Sequence, residues 1–389
     1  MNNGLVHIGF VVEGFPPYSK GGGIVSYVAE IARTLHQEGH PVVIFSLLPE
    51  ENSPENYCYE GLPVVVVPRV SAGRILPSRA TTANAQRVAK AIRHYQDQGN
   101  ELDVLEVPDI GAFGLFIDVS KVKLVARLHT GILEIGRLRG RGLDPRVLSV
   151  HRLEKLALHR AHLVTALTCY QRNFAKNLYG LNESAMRVIP NFVKPQQVVK
   201  IDRIGQRIGF FATVGRLKGT PVLCSAFNVV SSRHPETSLI IAGRDTAIRL
   251  WFGKRSAIEF CKKILREPER VHFTGLLTRE GTLREMQQCD IVVLPSMYEA
   301  FPMVLLEAMA QSIPVVASRV CGNSEIVMDG KSGLLVKPGD PEDLATAINT
   351  LLDNPETRTA MGFEGRRVVE SKFSDVAVIP RLIDLYRGL

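Results

Sequence analysis

Short β-branched runs alternate with amphipathic helical stretches in two successive series, and this constrains the chain more than any other feature. In the first series LVHIGFVVE reads as a buried strand, and GGGIVSYVAEIARTLHQEGH places Val25, Val28, Ala32 and Leu35 on one helical face. Gly39 caps that helix, Pro41 stops it, and PVVIFSLL supplies the next strand. Further strands are expected at 63–67, 103–107, 122–128, 162–166 and 186–189, with helical stretches between most of them. Alternation of this kind folds as a mostly parallel, doubly wound sheet. The rhythm breaks near Val193, where VKPQQVVKIDRIGQR is polar, basic and aperiodic, as a linker would be. A second series then offers strands at 208–214, 238–242, 271–273, 290–294 and 314–317. Helices fit at 221–232, 257–266, 279–287, 302–310 and 341–352.

A chain of 389 residues at roughly 100–200 residues per domain accommodates two such units, each with its own core. The boundaries expected are 1–195 and 206–373. Ligands of doubly wound sheets sit outside the carboxyl ends of the strands, so residues just after strands carry the functional interest.

Composition removes several classes. With 45% apolar residues, 22% charged residues, and 32 Gly and 22 Pro, the chain is neither disordered nor fibrous. No apolar run approaches the roughly 18 residues of a membrane-spanning helix. The start, MNNGLVHIGFVVEG, lacks a basic n-region, so no signal peptide is expected. Six cysteines without CxxC spacing read as reduced, mostly buried thiols. No two aspartates stand two apart, so the DxD that holds a divalent cation on a diphosphate is missing, and no metal is expected.

The net charge of +8 is unevenly spread. Twelve Lys and Arg lie between Lys121 and Lys176 against three acids, Glu134, Asp144 and Glu154. Such a segment suits an anionic lipid face, a phosphorylated acceptor or nucleic acid, and equally a solvated basic surface. No aromatic residues interleave these arginines, which disfavours a nucleic-acid partner.

The most informative stretch is LPSMYEAFPMVLLEAMAQSIPVVAS. Glu299 lies on a turn after a strand, Pro302 opens a helix, and Glu307 is the lone charge within MVLLEAMA. A carboxylate there is costly to bury unless a partner satisfies it, as the paired hydroxyls of a ribose would. The string EAFPMVLLEAMA resembles the double-Glu signature of retaining GT-B glycosyltransferases of family 4, the "group 1" family. IPVVASRVCGNSEIVMDGKSGLLVKPGD is similar to the blocks that follow it, and FPPYSKGGG, LHT, VIPN and VGRLKG resemble those that precede it, in order along almost the whole chain.

The resemblance implies a GT-B fold: two Rossmann-like domains facing across a cleft, an N-terminal acceptor-binding domain and a C-terminal nucleotide-sugar-binding one. The last helix, 375–386, would cross back, so that 374–389 returns to the N-terminal domain. Glu307 would bind the ribose and Glu299 the donor sugar, while Arg216 and Lys218 would hold the diphosphate, helped by backbone N–H groups at Phe301, Pro302, Met303 and Val304 insofar as each has one. Pro302 has none and serves by opening the helix. Helix-start amides and cations suit the charge that develops on a departing diphosphate. Gly21, Gly22 and Gly23 would let a phosphate or sugar approach the backbone, His129 would hydrogen-bond the donor sugar, and Asn191 would approach the cleft or cap the hinge. Glu106 and Asp109, after the strand DVLEV, would orient an acceptor or stand as surface carboxylates.

Departures from the family pattern are local. Arg216 and Lys218 are two apart instead of several, a spacing that an extended backbone would still point one way. Ala300, Ser312, Cys321 and Phe192 stand where glycine is usual. Gly330, Lys331 and Ser332 mimic the end of a P-loop, but its leading glycine is missing, and Ser26 breaks a GxGxxG at the first glycine loop.

The expected function is a metal-independent retaining glycosyltransferase, with a UDP-sugar favoured because the family uses it most. It would work in glycan, polysaccharide or glycolipid synthesis in the cytoplasm. The basic segment points to a lipid-linked or anionic acceptor and to contact with the inner membrane face. A sugar-nucleotide-binding sensor or scaffold without turnover, a sugar-nucleotide epimerase, and a nucleic-acid or membrane-surface binding protein are the rival readings.

Overall fold

The computed structural model describes residues 4–19, 22–50, 54–71, 76–138, 140–195, 206–250 and 253–389. They form two compact units, Met1–Pro190 with Ile379–Leu389, and Asn191–Val378. Most of the linker expected from the sequence, 196–205, and Gly21 lie outside the described residues.

The N-terminal unit is built on one sheet of eight strands: β1 (Ile8–Glu13), β2 (Val42–Pro49), β3 (Tyr57–Tyr59), β4 (Leu62–Arg69), β5 (Val104–Pro108), β6 (Lys123–Arg127), β7 (Leu163–Ala166) and β8 (Met186–Val188). Their order is β3-β4-β2-β1-β5-β6-β7-β8, and every pair is parallel except β3 with β4. The sequence reading missed β3, whose short YCY run pairs antiparallel at the sheet edge through the turn at Glu60 and Gly61. The helix Gly23–Gln37 buries Val25, Val28, Ala32 and Leu35 as its period requires, together with Tyr27 and Ile31. The core joins Val11, Phe45, Leu47, Leu105, Phe113 and Leu124, which are the inward positions of neighbouring strands and turns.

One buried polar knot ties the chain end into this unit. Both Glu106 oxygens accept hydrogen bonds from tyrosine hydroxyls, Tyr27 at 2.9 Å and Tyr386 at 2.7 Å. The guanidinium of the buried Arg127 lies 4.2 Å from the Tyr27 ring centre and donates to the Ile189 carbonyl at 3.0 Å. Tyr386 belongs to the last helix, Asp375–Arg387, whose residues from Ile379 onward are part of this unit. Glu106 is therefore neither the surface carboxylate nor the acceptor-facing one that sequence allowed. It is buried, and both its oxygens are engaged within the fold.

The C-terminal unit holds a parallel sheet of β9 (Gln206–Phe211), β10 (Thr237–Ala242), β13 (Val271–Gly275), β14 (Ile291–Leu294), β15 (Val315–Ser318) and β16 (Gly333–Val336), in the order β13-β10-β9-β14-β15-β16. Between β10 and β13 a separate antiparallel hairpin forms from β11 (Ala247–Leu250) and β12 (Gly253–Ser256). Sequence reading missed the hairpin, β16, and the helix Pro355–Val368, which packs against the helix Met303–Ala310. Three of the six cysteines are buried and Cys58 and Cys169 are exposed, so burial is less general than expected. Among the described residues no helix is long and apolar enough to cross a membrane.

Candidate functional site

In each sheet the strand order reverses once, and the loops leaving the two strands at that point diverge to leave room for a ligand. In the C-terminal unit the reversal falls between β9 and β14. After β9 the chain enters a 3-10 turn, Arg216–Lys218, that leads into the helix Thr220–Arg233. After β14 it passes Glu299 and enters the helix Met303–Ala310.

Backbone contacts fix these two loops to each other. The Met297 N–H donates to the Leu217 carbonyl at 2.9 Å. Gly219, with φ 72°, comes so close to Pro295 that a Cβ there would stand 1.8 Å from the Pro295 carbonyl oxygen. The result is an ion pair between residues 81 apart in sequence, Lys218 Nζ to Glu299 Oε2 at 2.5 Å. The buried Ser296 hydroxyl donates to the same oxygen at 3.4 Å. Glu299 is only 9% exposed, so its carboxylate is held in a fixed place.

The extended geometry expected for Arg216 and Lys218 does not form. A 3-10 turn rotates successive side chains by about 120°, so positions two apart diverge. Lys218 turns inward and is half-buried against Glu299, whereas Arg216 is exposed.

The helix Met303–Ala310 buries Leu305, Leu306, Ala308, Met309 and Ala310. Met303, Val304 and Glu307 are its half-buried positions, and at helical spacing they share one side of its first turns. The Glu307 carboxylate is thus kept out of the apolar core that the sequence around it suggested. Phe301 and Pro302 are buried beneath this start, with the Phe301 ring 6.1 Å from that of Phe373. Asn191 is also buried, two residues before the Val193 N–H that donates to the Phe373 carbonyl at 2.9 Å.

In the N-terminal unit the reversal falls between β1 and β5. The loop after β1 brings Gly22 and Gly23 to the start of the helix Gly23–Gln37, where a Cβ on either would meet no described atom within 4 Å. Their φ-independent value is therefore the open approach they leave to the backbone.

His129 follows β6, half-buried, with its ring 5.9 Å from that of Tyr27. Burial, helped by the nearby Arg127 cation, lowers its pKa to about 3, so the imidazole is neutral at pH 7. Its backbone is held at both ends: the N–H donates to Asp109 Oδ1 at 3.0 Å, and the carbonyl accepts from Gln171 Nε2 at 2.5 Å. Asp109 is buried, so the surface carboxylate allowed by the sequence is corrected here too.

Sequence reasoning missed the residues that hold this loop. Glu154, fully buried, accepts from the Ile132 N–H at 3.0 Å and the Gly111 N–H at 3.4 Å, joining the loops after β5 and β6. The Tyr179 hydroxyl packs so tightly beneath Gly131 that a Cβ there would lie 2.1 Å away. Burial raises Asp109 to about 7, with the Glu134 charge adding to it, and raises Glu154 to about 8, with Asp109 adding to it. A signal existed: in RVLSVHRLEKLALHR, Glu154 falls at helical spacing from Val150, Ala157 and Leu158, on the face that is buried.

Comparison with known proteins places this geometry. Residues 197–368 match the family model described as "Glycosyl transferases group 1", and residues 21–197 match "Glycosyltransferase Family 4". A D-inositol 3-phosphate glycosyltransferase of Corynebacterium urealyticum is 34% identical over 184 residues, covering 47% of this chain and 43% of that protein. A glycogen synthase of Mycobacterium tuberculosis is 25% identical across 94% of this chain and 91% of its own length. Among solved structures, Anabaena HepE in complex with UDP-glucose superposes with a TM-score of 0.72 at 21% identity, over 98% of this chain and 100% of that one.

Proposed function

We propose, from the premise that the C-terminal unit belongs to the glycosyl transferases group 1 and that the chain has the GT-B fold, that this protein is a metal-independent retaining glycosyltransferase. It moves a sugar from a nucleoside diphosphate to an acceptor hydroxyl. The observation that carries this reading is the convergence of Lys218 and Glu299, 2.5 Å apart, at the strand reversal of the C-terminal sheet, beside the helix that carries Glu307.

Each residue has a role that its setting supports. Glu307, half-buried near a helix start, accepts the two ribose hydroxyls. Lys218 and the exposed Arg216 carry the diphosphate, with the N–H groups around Phe301, Met303 and Val304 adding dipoles where negative charge develops. Glu299, fixed by Lys218 and Ser296, accepts hydroxyls of the donor sugar. In the N-terminal unit the neutral His129 hydrogen-bonds the donor sugar without placing a cation beside an oxocarbenium-like centre. Gly22 and Gly23 admit a phosphate or sugar to the backbone, and Asn191 holds the chain where it enters the C-terminal unit.

In the reaction the bond from the anomeric carbon to the phosphate oxygen breaks and the acceptor oxygen bonds to that carbon on the same face. The acceptor proton passes to the departing phosphate oxygen, so the anomeric configuration is kept. Asp109, as part of the acceptor side, acts by holding His129 and not by touching the acceptor. UDP-glucose in HepE favours a UDP-sugar, and the glycogen synthase relative favours a glycan product. The basic segment favours a lipid-linked or anionic acceptor at the cytoplasmic membrane face.

The test is nucleoside diphosphate release from UDP-, GDP- and ADP-sugars, with and without a membrane extract, by wild type and Glu307→Ala. Release that depends on one base, rises with extract and collapses in the variant supports the reading. Release that is equal in both proteins, or absent from both, rejects it.

A further inference from the structure

The basic segment of the N-terminal unit has a structure that its formal charge does not convey. Of its three acids, Glu134 and Glu154 are buried, and Asp144 is spent locally. Asp144 accepts from the Arg146 N–H at 2.9 Å, capping the helix Pro145–Arg160, and from Arg141 Nη2 at 2.5 Å. The basic side chains have the opposite fate: Arg137, Arg141, Arg146, Arg152 and Lys155 are all exposed.

Apolar groups stand among them. Leu143, in the turn before the helix, is 90% exposed, and Leu156 is 56% exposed. The helix period explains the arrangement. Its buried line is Val150, Glu154, Ala157 and Leu158, the opposite line contains Arg152 and Leu156 with Lys155 beside it, and Arg146 is exposed in the first turn. The short helix Ile132–Leu138 packs onto the start of this helix, since a Cβ on its Gly136 would meet the Val147 side chain at 2.9 Å, and the turn is tied to that short helix by the Arg141 N–H, which donates to the Gly136 carbonyl at 2.6 Å. Leu143 is therefore presented by a folded turn, with Arg141 and Arg146 close to it in the chain.

An exposed leucine costs solubility and contributes nothing to a core, so a single one needs no explanation. One presented at 90% exposure from an ordered turn, within a surface whose acids are withdrawn, has the composition of an interfacial anchor: apolar tips to enter the acyl boundary and cations for phosphate headgroups. We infer that the turn 140–144 and the outward stripe of the helix Pro145–Arg160 form the surface by which this chain docks on an anionic lipid bilayer, with Leu143 and Leu156 inserting and Arg141, Arg146, Arg152 and Lys155 contacting headgroup phosphates. This deepens the reading above, which rests on a membrane-face acceptor, but its test needs no turnover.

The test is flotation of the full chain with vesicles of equal phosphatidylglycerol and phosphatidylcholine, and with phosphatidylcholine alone. The variants are Arg146→Gln/Arg152→Gln/Lys155→Gln together, and Leu143→Ser alone. A basic residue near an anionic surface contributes about fivefold to binding, so the triple variant should bind about a hundredfold more weakly. Leu143→Ser should lose about tenfold, as for one inserted apolar side chain. Both should retain wild-type diphosphate release from a soluble donor, because none of these residues lies in the donor machinery. Binding should weaken with salt, since the Debye length shrinks to about 8 Å at 0.15 M.

Wild-type protein that stays off the anionic vesicles overturns the inference, and so does vesicle binding that neither variant moves. Tighter retention on a single-stranded oligonucleotide than on vesicles, unaffected by Leu143→Ser, also overturns it and reassigns the surface to nucleic acid. Loss of diphosphate release with vesicle binding intact would count against the proposed function and leave the docking surface standing.

Discussion

Replacing Gly219 by alanine isolates the contact that brings Lys218 to Glu299. At φ 72° a side chain is strained, costing about 1–2 kcal/mol. The new Cβ would also stand 1.8 Å from the Pro295 carbonyl oxygen, a backbone atom that cannot rotate away. Relieving such a clash typically costs about 1–3 kcal/mol, so the sum is about 2–5 kcal/mol. A domain stable by about 5–15 kcal/mol survives that loss, with the midpoint of thermal unfolding lowered by roughly 5–15 °C. The relief must separate the 216–219 turn from the 295–299 loop, so affinity for a nucleoside diphosphate should fall at least about tenfold, the scale of one charge-assisted contact. Differential scanning calorimetry and titration calorimetry read the two effects. Gly275→Ala is the control, because it has the same φ of 72° and no described atom within 4 Å of its Cβ. It should show the strain alone and keep nucleotide affinity. Equal effects from the two substitutions would refute the claim that packing of Gly219 on Pro295 shapes the site.

Three further expectations follow from particular contacts. Tyr386→Phe removes a buried donor to the Glu106 carboxylate and should lower unfolding free energy by about 1.5–3 kcal/mol in urea titration; a change below about 0.5 kcal/mol would contradict the tie. Ser312→Gly should stabilise the protein by about 0.5 kcal/mol, because relief of a residue at φ 56° exceeds the entropy cost of glycine, and a lowered denaturation midpoint would show the opposite. Asp109 and Glu154, raised to about 7 and about 8, keep protons in the folded state that the unfolded chain has released. Stability should therefore fall as pH rises from 6.5 to 8.5, by at most about 1.4 kcal/mol per pH unit for each proton. His129, lowered to about 3, is neutral in both states across most of this window and acts only below it, where stability falls as the imidazole of the unfolded chain gains its proton. Glu154→Gln should flatten the slope above pH 6.5; an unchanged slope would assign it to other groups.

What was legible in the sequence follows from period and punctuation. The strands β1, β2 and β14 are apolar runs rich in β-branched residues and buried almost throughout, so they announce themselves without any partner. The strand β16 is four residues long and only half-buried along its middle, too short for a period to emerge. The double-Glu block was legible because a charge in an apolar run is conspicuous. Its partner geometry was not, because the 3-10 turn at Arg216–Lys218 is set by the contact of Gly219 and Leu217 with Pro295 and Met297, nearly eighty residues away. Glu106 and Asp109 were misread as surface groups for the same reason. Glu106 lies within β5 and Asp109 just after it, and both carboxylates look solvent-facing in sequence, but Tyr386 comes from the far end of the chain to bury one, and the His129 loop covers the other. Ser312 and Cys321, at φ 56° and 27°, show that the usual glycine positions keep their backbone shape even when another residue fills them.

The central claim is that Glu307 and the Lys218–Glu299 pair hold a sugar nucleotide for transfer with retention. The most direct measurement is the anomeric configuration of the first product, read by proton NMR during turnover of an α-linked UDP-sugar with membrane extract as acceptor source. The account predicts an α-linked product and a matching release of UDP, with both lost in Glu307→Ala. A β-linked product, or undiminished transfer by Glu307→Ala, would contradict it.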